Sequence, residues 1–182
     1  KPTAQQQKAI SEINCAIDDS LPHTMLLHGV TGSGKTEVFL QAIKHSVNRG
    51  RSALVLVPEI SLTPQMVSRF VSRFGKRIAI LHSGLSVGEK YDQWARIMNN
   101  EADIVIGARS AIFAPLSNIG IIIVDEEHSD TYKSEMSPRY HAREVAIERA
   151  RKHGAVTLLA SATPSIESYT YALLGKYQLL EM

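Results

Sequence analysis

The stretch MLLHGVTGSGKT (residues 25–36) decides how the rest of the chain is read. A short apolar run, MLLHGV, passes into GVTGSGKT (29–36), which has the full spacing G-x-x-x-x-G-K-[ST]. A helical pattern follows over Thr36–Asn48. Strand, glycine-rich turn and helix together make a phosphate cradle. Gly32 and Gly34 let the backbone turn its N–H groups toward phosphate oxygens. The helix N-terminus near Lys35 adds the positive end of a dipole. Lys35 then places its charge at the β- and γ-phosphates, and the Thr36 hydroxyl is a ligand for Mg2+. Gly29, Thr31 and Ser33 complete the expected nucleotide-binding loop.

Working outward, further apolar runs punctuate the chain: ALVLVP (53–58), IAIL (78–81), DIVIGA (103–108), IIIVD (121–125), VTLLA (156–160) and the weaker YQLL (177–180). Continuous runs of this kind suit strands buried on both faces of a parallel sheet. Helix patterns lie between them, at Pro64–Phe74, Ser86–Asn99, Ala142–His153 and Ser165–Leu174, with a first helix at about Ala4–Ile17. Ser86 and Glu89 have capping-box spacing, and Gly50 and Gly75 stand where helix C-caps are expected. Alternation of this kind predicts right-handed crossovers and a doubly wound α/β domain over residues 1–182. The expected sheet has about seven strands, mostly parallel, with helices on both faces. Ligands of such folds sit at the carboxyl ends of the strands.

The bulk numbers agree with a globular protein and exclude little else. The chain has 182 residues, 44% hydrophobic and 21% charged, with net charge +2. That excess neither indicates nor excludes nucleic acid, because local clustering outweighs the sum. The one cysteine, Cys15, has no disulfide partner and falls in a helical pattern, so a buried thiol is expected. No apolar run approaches the ~20 residues of a membrane span, and no signal peptide pattern opens the sequence. A cytoplasmic protein without membrane contact is the expectation. The abrupt ends, KPTAQQQ and YQLLEM, suggest a piece of a longer chain.

A phosphate loop needs a second carboxylate for the metal shell. Asp125, closing IIIVD, is the natural candidate, with Glu126 beside it to orient and deprotonate water. That pairing favours hydrolysis over transfer to a second substrate. For His128 three roles stay open on the residues alone: a metal ligand, a packed histidine, or a sensor of the γ-phosphate site.

The remaining strand ends carry VPEISLTPQ (57–65), HSGLS (82–86), GARSAIFAP (107–115) and SATPS (161–165). These small, hydroxylated junctions open on the same sheet edge as the phosphate loop. Pro58, Thr63, Gln65, Ser83, Gly84, Arg109 and Ser110 are therefore candidate nucleic-acid contacts. SDTYKSEMSPRYHAR (129–143) interleaves aromatic and cationic residues, which can stack on and neutralise a single strand. Tyr132, Lys133, Arg139 and Tyr140 are its candidates.

Together, GVTGSGKTE, VPEISLTPQ, HSGL, GARSA, DEEH and SATPS resemble, in order, the first motor lobe of superfamily 2 helicases. The wording of VPEISLTPQ, GARSAIFAP and DEEHSDTYK…RYHAR is similar to the replication-restart branch of that superfamily. The resemblance covers essentially the whole chain. It implies a RecA-like lobe, ATP as nucleotide, and 3′→5′ unwinding of forked and single-stranded DNA at stalled forks. It also implies a second motor lobe, DNA-binding and zinc-containing regions elsewhere in the parent chain, and replication-restart partner proteins. By position, Gln5 resembles the glutamine that reads adenine, with Gln6 and Gln7 competing for the role. His128, Ser161 and Thr163 carry over as couplers of nucleotide state to DNA. Pro138 stands where some relatives have tryptophan, which shifts the DNA role of that loop onto Tyr132, Arg139 and Tyr140. An isolated lobe is expected to turn over little ATP. Two other classes stay in view: a small-molecule kinase, which leaves Glu126 and SATPS unexplained, and a nucleotide-sensing scaffold.

Overall fold

The computed structural model describes residues 2–182. Its elements are α1 (Ala4–Asp19), β1 (His23–His28), α2 (Lys35–Asn48), β2 (Ser52–Leu56), α3 (Pro64–Phe74), β3 (Ile78–Leu81), α4 (Val87–Met98), β4 (Ile104–Gly107), β5 (Ile119–Asp125), β6 (Lys133–Ser134), β7 (Tyr140–His141), α5 (Ala142–His153), β8 (Val156–Ser161), α6 (Ile166–Leu173) and β9 (Gln178–Glu181). Seven strands form one parallel sheet in the order β3-β4-β2-β5-β8-β1-β9. The two-residue strands β6 and β7 pair separately as an antiparallel hairpin.

The central strands are apolar at most positions because both faces are covered. Along β5, Ile121 and Ile123 join the core under α1, α2 and α3, while Ile122 and Val124 join the core under α4 and α5. The first core takes Ile13, Phe39, Ile43 and Phe70 from its helices. The second takes Ala142, Ala146 and Ala150 from α5, whose small side chains let that helix lie close to the sheet. Each fully buried Ile, Leu or Phe contributes roughly 1.5–3 kcal/mol relative to exposure, so the two apolar faces hold the layers in place.

Helix ends follow local chemistry. Ser86 and Glu89 make the expected capping box at α4, and Thr63 and Ser165 cap α3 and α6. Gly154, past α5, has φ +59, and a Cβ there would lie 2.4 Å from the Ser20 carbonyl oxygen. Cys15 departs from expectation. It lies on the outward face of α1 and is exposed, because Ile13, Ala16 and Ile17 take the inward positions of that turn.

Register brings the strand ends to one edge. Asp125 pairs with Ala160, His28 with Ser161, and Leu56 with both Val124 and Gly107. The phosphate loop, the acidic stretch and SATPS therefore leave the sheet side by side.

Candidate nucleotide-binding site

The phosphate loop is built from a left-handed turn. Gly34 has φ +88 and is the N-cap of α2, without a side-chain cap. The first N–H groups of α2 are thus left facing the loop's interior, as an anion site requires. Any side chain at Gly34 would also meet Gln6, whose Nε2 lies 2.1 Å from the position of a Cβ there. Gln6 is the glutamine set against this loop. Its Oε1 accepts from the Thr3 N–H at 2.8 Å and its Nε2 donates to the Ser33 carbonyl at 2.9 Å. Gln5, assigned that place by position, is instead exposed. It occupies the position before N3 in the helix, so its side chain projects away from the loop that Gln6 touches. Lys35 Nζ donates to the Gly29 and Val30 carbonyls at 2.6 and 3.1 Å, spanning the loop from inside.

A cleft of about 1070 Å³ opens over the loop. It is lined by Thr31, Gly32, Gly34, Lys35 and Thr36 on one side, by Asp125, Glu126, His128 and Thr163 on another, and by Arg69 and Arg73 of α3. Gly29 lies beneath, its N–H donating to Ser161 O at 3.2 Å. The Asp125 carboxyl is pushed up to about 6, first by burial and then by neighbouring Glu126, against the lowering effects of the Glu126 N–H, Lys35 and His128. Glu126 has φ +47, a left-handed conformation uncommon for a side chain of this size. That turn separates the two acids, leaving Glu126 exposed in the cleft.

The next acid goes the other way. Glu127 is fully buried. Its carboxylate accepts from Arg143 at 3.1 Å, from the Ser165 N–H and hydroxyl at 2.6 and 3.1 Å, and from the Ser168 hydroxyl at 2.9 Å. Arg143 also donates to Glu144 and Glu167. Burial opposes its charge, but the bonds to Glu127 and Glu144 outweigh it and raise the Arg143 pKa above the ordinary range.

His128 Nδ1 lies 2.7 Å from Ser161 Oγ, and that oxygen accepts from the Thr163 N–H at 2.9 Å. One hydrogen-bonded chain thus runs from the acidic stretch to SATPS. Among the described residues, no group of three or more His, Cys, Asp or Glu side chains could hold a metal ion. The pair Thr36 and Asp125 still fits Mg2+, which is commonly held by one or two protein oxygens together with phosphates and water.

The proposed nucleic-acid residues separate into two sets. Pro58 is buried, and its carbonyl accepts from the Ser61 N–H, so it serves a turn. Tyr132 is fully buried, and its hydroxyl donates to the carbonyls of Leu56 and Asp125. Burial, followed by the nearby acids, raises its pKa. It cannot stack on a base and is corrected to a core residue. The Ser83 hydroxyl and N–H both donate to Glu59, which holds that carboxyl below its usual range. The Gly84 N–H donates to His82, and the Thr63 oxygen caps α3. Arg109 donates to the Thr131 and Lys133 carbonyls at 3.3 and 2.7 Å and lies 5.9 Å from the Tyr140 ring centre. It secures the hairpin, which makes it a structural cation. Gln65, Ser110, Lys133 and Arg139 are exposed. Half-buried Tyr140 packs edge-on against Phe113 and, with Lys133, Arg139 and His141, lines a second cleft of about 600 Å³.

Sequence reasoning placed Gln6 only as a competitor of Gln5, and it missed the Glu127–Arg143 network and the α3 arginines. The first had a usable signal, since Thr3 and Gln6 have capping-box spacing. The others had none in the sequence alone.

A cleft over a phosphate loop at the carboxyl edge of this seven-stranded parallel sheet is the arrangement of a RecA-like lobe, and residues 3–170 match the DEAD/DEAH box helicase family: the chain belongs to it. Within that family its similarity is to replication restart proteins PriA. The Bacillus subtilis (strain 168) protein is 56% identical over 180 residues, 99% of this chain and 22% of its own length. The Chlamydia pneumoniae protein is 50% identical over 176 residues, 96% of this chain and 24% of its own. The chain thus spans about a quarter of the length of these curated relatives. RecG, in a structure bound to a three-way DNA junction, superposes with TM-score 0.73 at 27% identity, covering 100% of this chain and 24% of RecG. A DEAD box protein from Methanococcus jannaschii shares the fold, with TM-score 0.65 at 23% identity over 100% of this chain and 50% of its own. Among the described residues no helix is long and apolar enough to cross a membrane.

Proposed function

We propose that this chain is the ATP-binding motor lobe of a 3′→5′ DNA helicase that restarts replication at stalled forks, and that residues 1–182 form one lobe of a longer, cytoplasmic, multi-domain protein. The observation that carries the reading is the shared cleft: Lys35 and Thr36 face Asp125 and Glu126, and His128 links that cleft to Ser161. Likeness to replication restart proteins PriA over nearly the whole chain supports the replication-restart role, and the polarity, the second motor lobe, the DNA-binding and zinc-containing regions and the partner proteins follow from the motif resemblance alone. RecG's complex with a DNA junction supports forked DNA as substrate.

The chemistry is hydrolysis of ATP. Water oxygen bonds to the γ-phosphorus, the bond to the bridging oxygen breaks, and its electron pair leaves on ADP. Glu126 takes the water proton. Lys35 and the α2 N-terminus hold the phosphate charge. Mg2+, when bound by Thr36 and Asp125, neutralises phosphate oxygens and fixes their geometry. His128 and Ser161 report the phosphate state toward SATPS and the hairpin. Gln65, Ser110, Lys133 and Arg139 present the remaining exposed DNA contacts.

The test uses the whole protein carrying this lobe. Forked or single-stranded DNA raises ATP turnover, and Lys35→Ala abolishes it. Glu126→Gln keeps ATP binding and loses hydrolysis. Turnover indifferent to DNA would sink the motor reading, and full turnover in Glu126→Gln would remove that residue as the base.

A further inference from the structure

Of the eleven arginines, eight donate to partners within the fold: Arg49, Arg51, Arg77, Arg96, Arg109, Arg143, Arg149 and Arg151. Among the described residues, Arg69, Arg73 and Arg139 have no such partner. Arg139 lies in the hairpin cleft. Arg69 and Arg73 both line the nucleotide cleft, with Ser72 between them.

Their placement follows from α3. Met66, Phe70 and Phe74 turn into the core, and positions 69, 72 and 73 share the face that flanks that stripe. Like charges one turn apart repel on a helix, and among the described residues no carboxylate lies within ion-pair distance of either to offset that. An anion in the cleft would. The same cleft carries the carboxylates Asp125, Glu126 and Glu37. A phosphate released beside those carboxylates is repelled by them and attracted to the guanidinium pair. Guanidinium geometry also suits an oxyanion, since two N–H donors meet two oxygens. Arg69 and Arg73 line the cleft, whereas Gln6, held at Ser33 and beside Gly34, is not among its lining residues. The arginines are therefore set apart from the end of the loop that Gln6 holds.

We propose that Arg69 and Arg73 form an oxyanion subsite that receives the cleaved terminal phosphate and gives it an exit along α3. The inference rests on the nucleotide reading of the cleft and adds a product site to it. They are positioning residues for product, with no part in bond cleavage.

The test titrates inorganic phosphate into the whole protein carrying this lobe, loaded with ADP and Mg2+, followed by calorimetry, for wild type, Arg69→Gln, Arg73→Gln, the double glutamine variant and the double lysine variant. ADP affinity is measured in parallel. The double glutamine variant is expected to lose phosphate affinity by about tenfold or more, the order of charge-assisted hydrogen bonds, with ADP affinity unchanged within about twofold. The double lysine variant restores part of the loss, and it decides the matter if glutamine compromises folding. Unchanged phosphate affinity, a parallel fall in ADP affinity, or absence of phosphate binding by the ADP-loaded wild type would each overturn the subsite alone. Failure of wild type to bind ADP would overturn the nucleotide reading itself.

Discussion

Removing one partner from the Glu127–Arg143 pair is the most informative perturbation of the fold beneath the site. Glu127 is fully buried and the Arg143 side chain is 7% exposed. A buried charge left without its partner costs roughly 3–5 kcal/mol. The environment here is asymmetric. Without Arg143, Glu127 still accepts from the Ser165 N–H and the hydroxyls of Ser165 and Ser168, so Arg143→Met should fall near 3 kcal/mol. Without Glu127, Arg143 retains Glu144 and Glu167, both well exposed, but the Ser165 N–H and the Ser168 hydroxyl lose their acceptor. Glu127→Leu should therefore cost more, toward 5 kcal/mol. The double variant carries no unpaired buried charge, so its cost should fall short of the sum by about 2 kcal/mol or more. Urea unfolding of all four chains by linear extrapolation gives the cycle. Additive costs, or an Arg143→Met penalty under about 1 kcal/mol, would refute the claim that this pair anchors the acidic stretch.

Two further outcomes follow from burial near the cleft. Asp125 has a folded pKa of about 6 against 3.8 unfolded. Below 3.8 both states hold the proton, between 3.8 and 6 the folded state alone keeps it, and above 6 the charged group destabilises the fold by up to about 3 kcal/mol. In metal-free buffer Asp125→Asn should thus be more stable than wild type above pH 6, with the advantage gone near pH 4; an advantage constant from pH 4 to 8 contradicts this. Tyr132→Phe deletes the hydroxyl that serves the Leu56 and Asp125 carbonyls and should lower stability by about 1–3 kcal/mol. DNA affinity of the folded variant should not change, and a selective loss of DNA binding at unchanged stability would return Tyr132 to the interface.

The legible features were those that sequence encodes locally. The apolar runs became the seven sheet strands, and the longest runs belong to the central strands, whose two faces are both covered. The phosphate loop was legible because its glycine positions are fixed by backbone geometry, as Gly34 shows at φ +88. Tyr132 misled because a tyrosine in a polar segment looks exposed. Its burial depends on β2 and β5 ending side by side, which brings the Leu56 and Asp125 carbonyls to one hydroxyl. Cys15 misled by less than one helical turn. Arg143 was invisible as a partner of Glu127 because an ion pair across sixteen residues leaves no periodic trace. The α3 arginines stood in a plain amphipathic pattern, and only the fold turns them toward the cleft.

The acidic stretch acquires its logic from the alternation of its side chains. Asp125, Glu126 and His128 line the cleft, while Glu127 is driven into the interior. Glu127 therefore fixes the backbone from which the three cleft residues project. It does so at the base of the segment that carries the hairpin, because Arg143, its partner, begins the helix that follows β7. Both ends of residues 128–142 are thus held at one buried point, and Tyr132 adds a tie to the Asp125 carbonyl. Arg109 grips the segment's middle through Thr131 and Lys133. A force on exposed Lys133 or Arg139 has few compliant routes through such a frame. The bonds that leave the frame run to the Asp125 backbone through Tyr132 and to α6 through Glu127 and its serines. The chemistry that makes Glu127 costly to bury is the same chemistry that makes the hairpin and the cleft one mechanical unit.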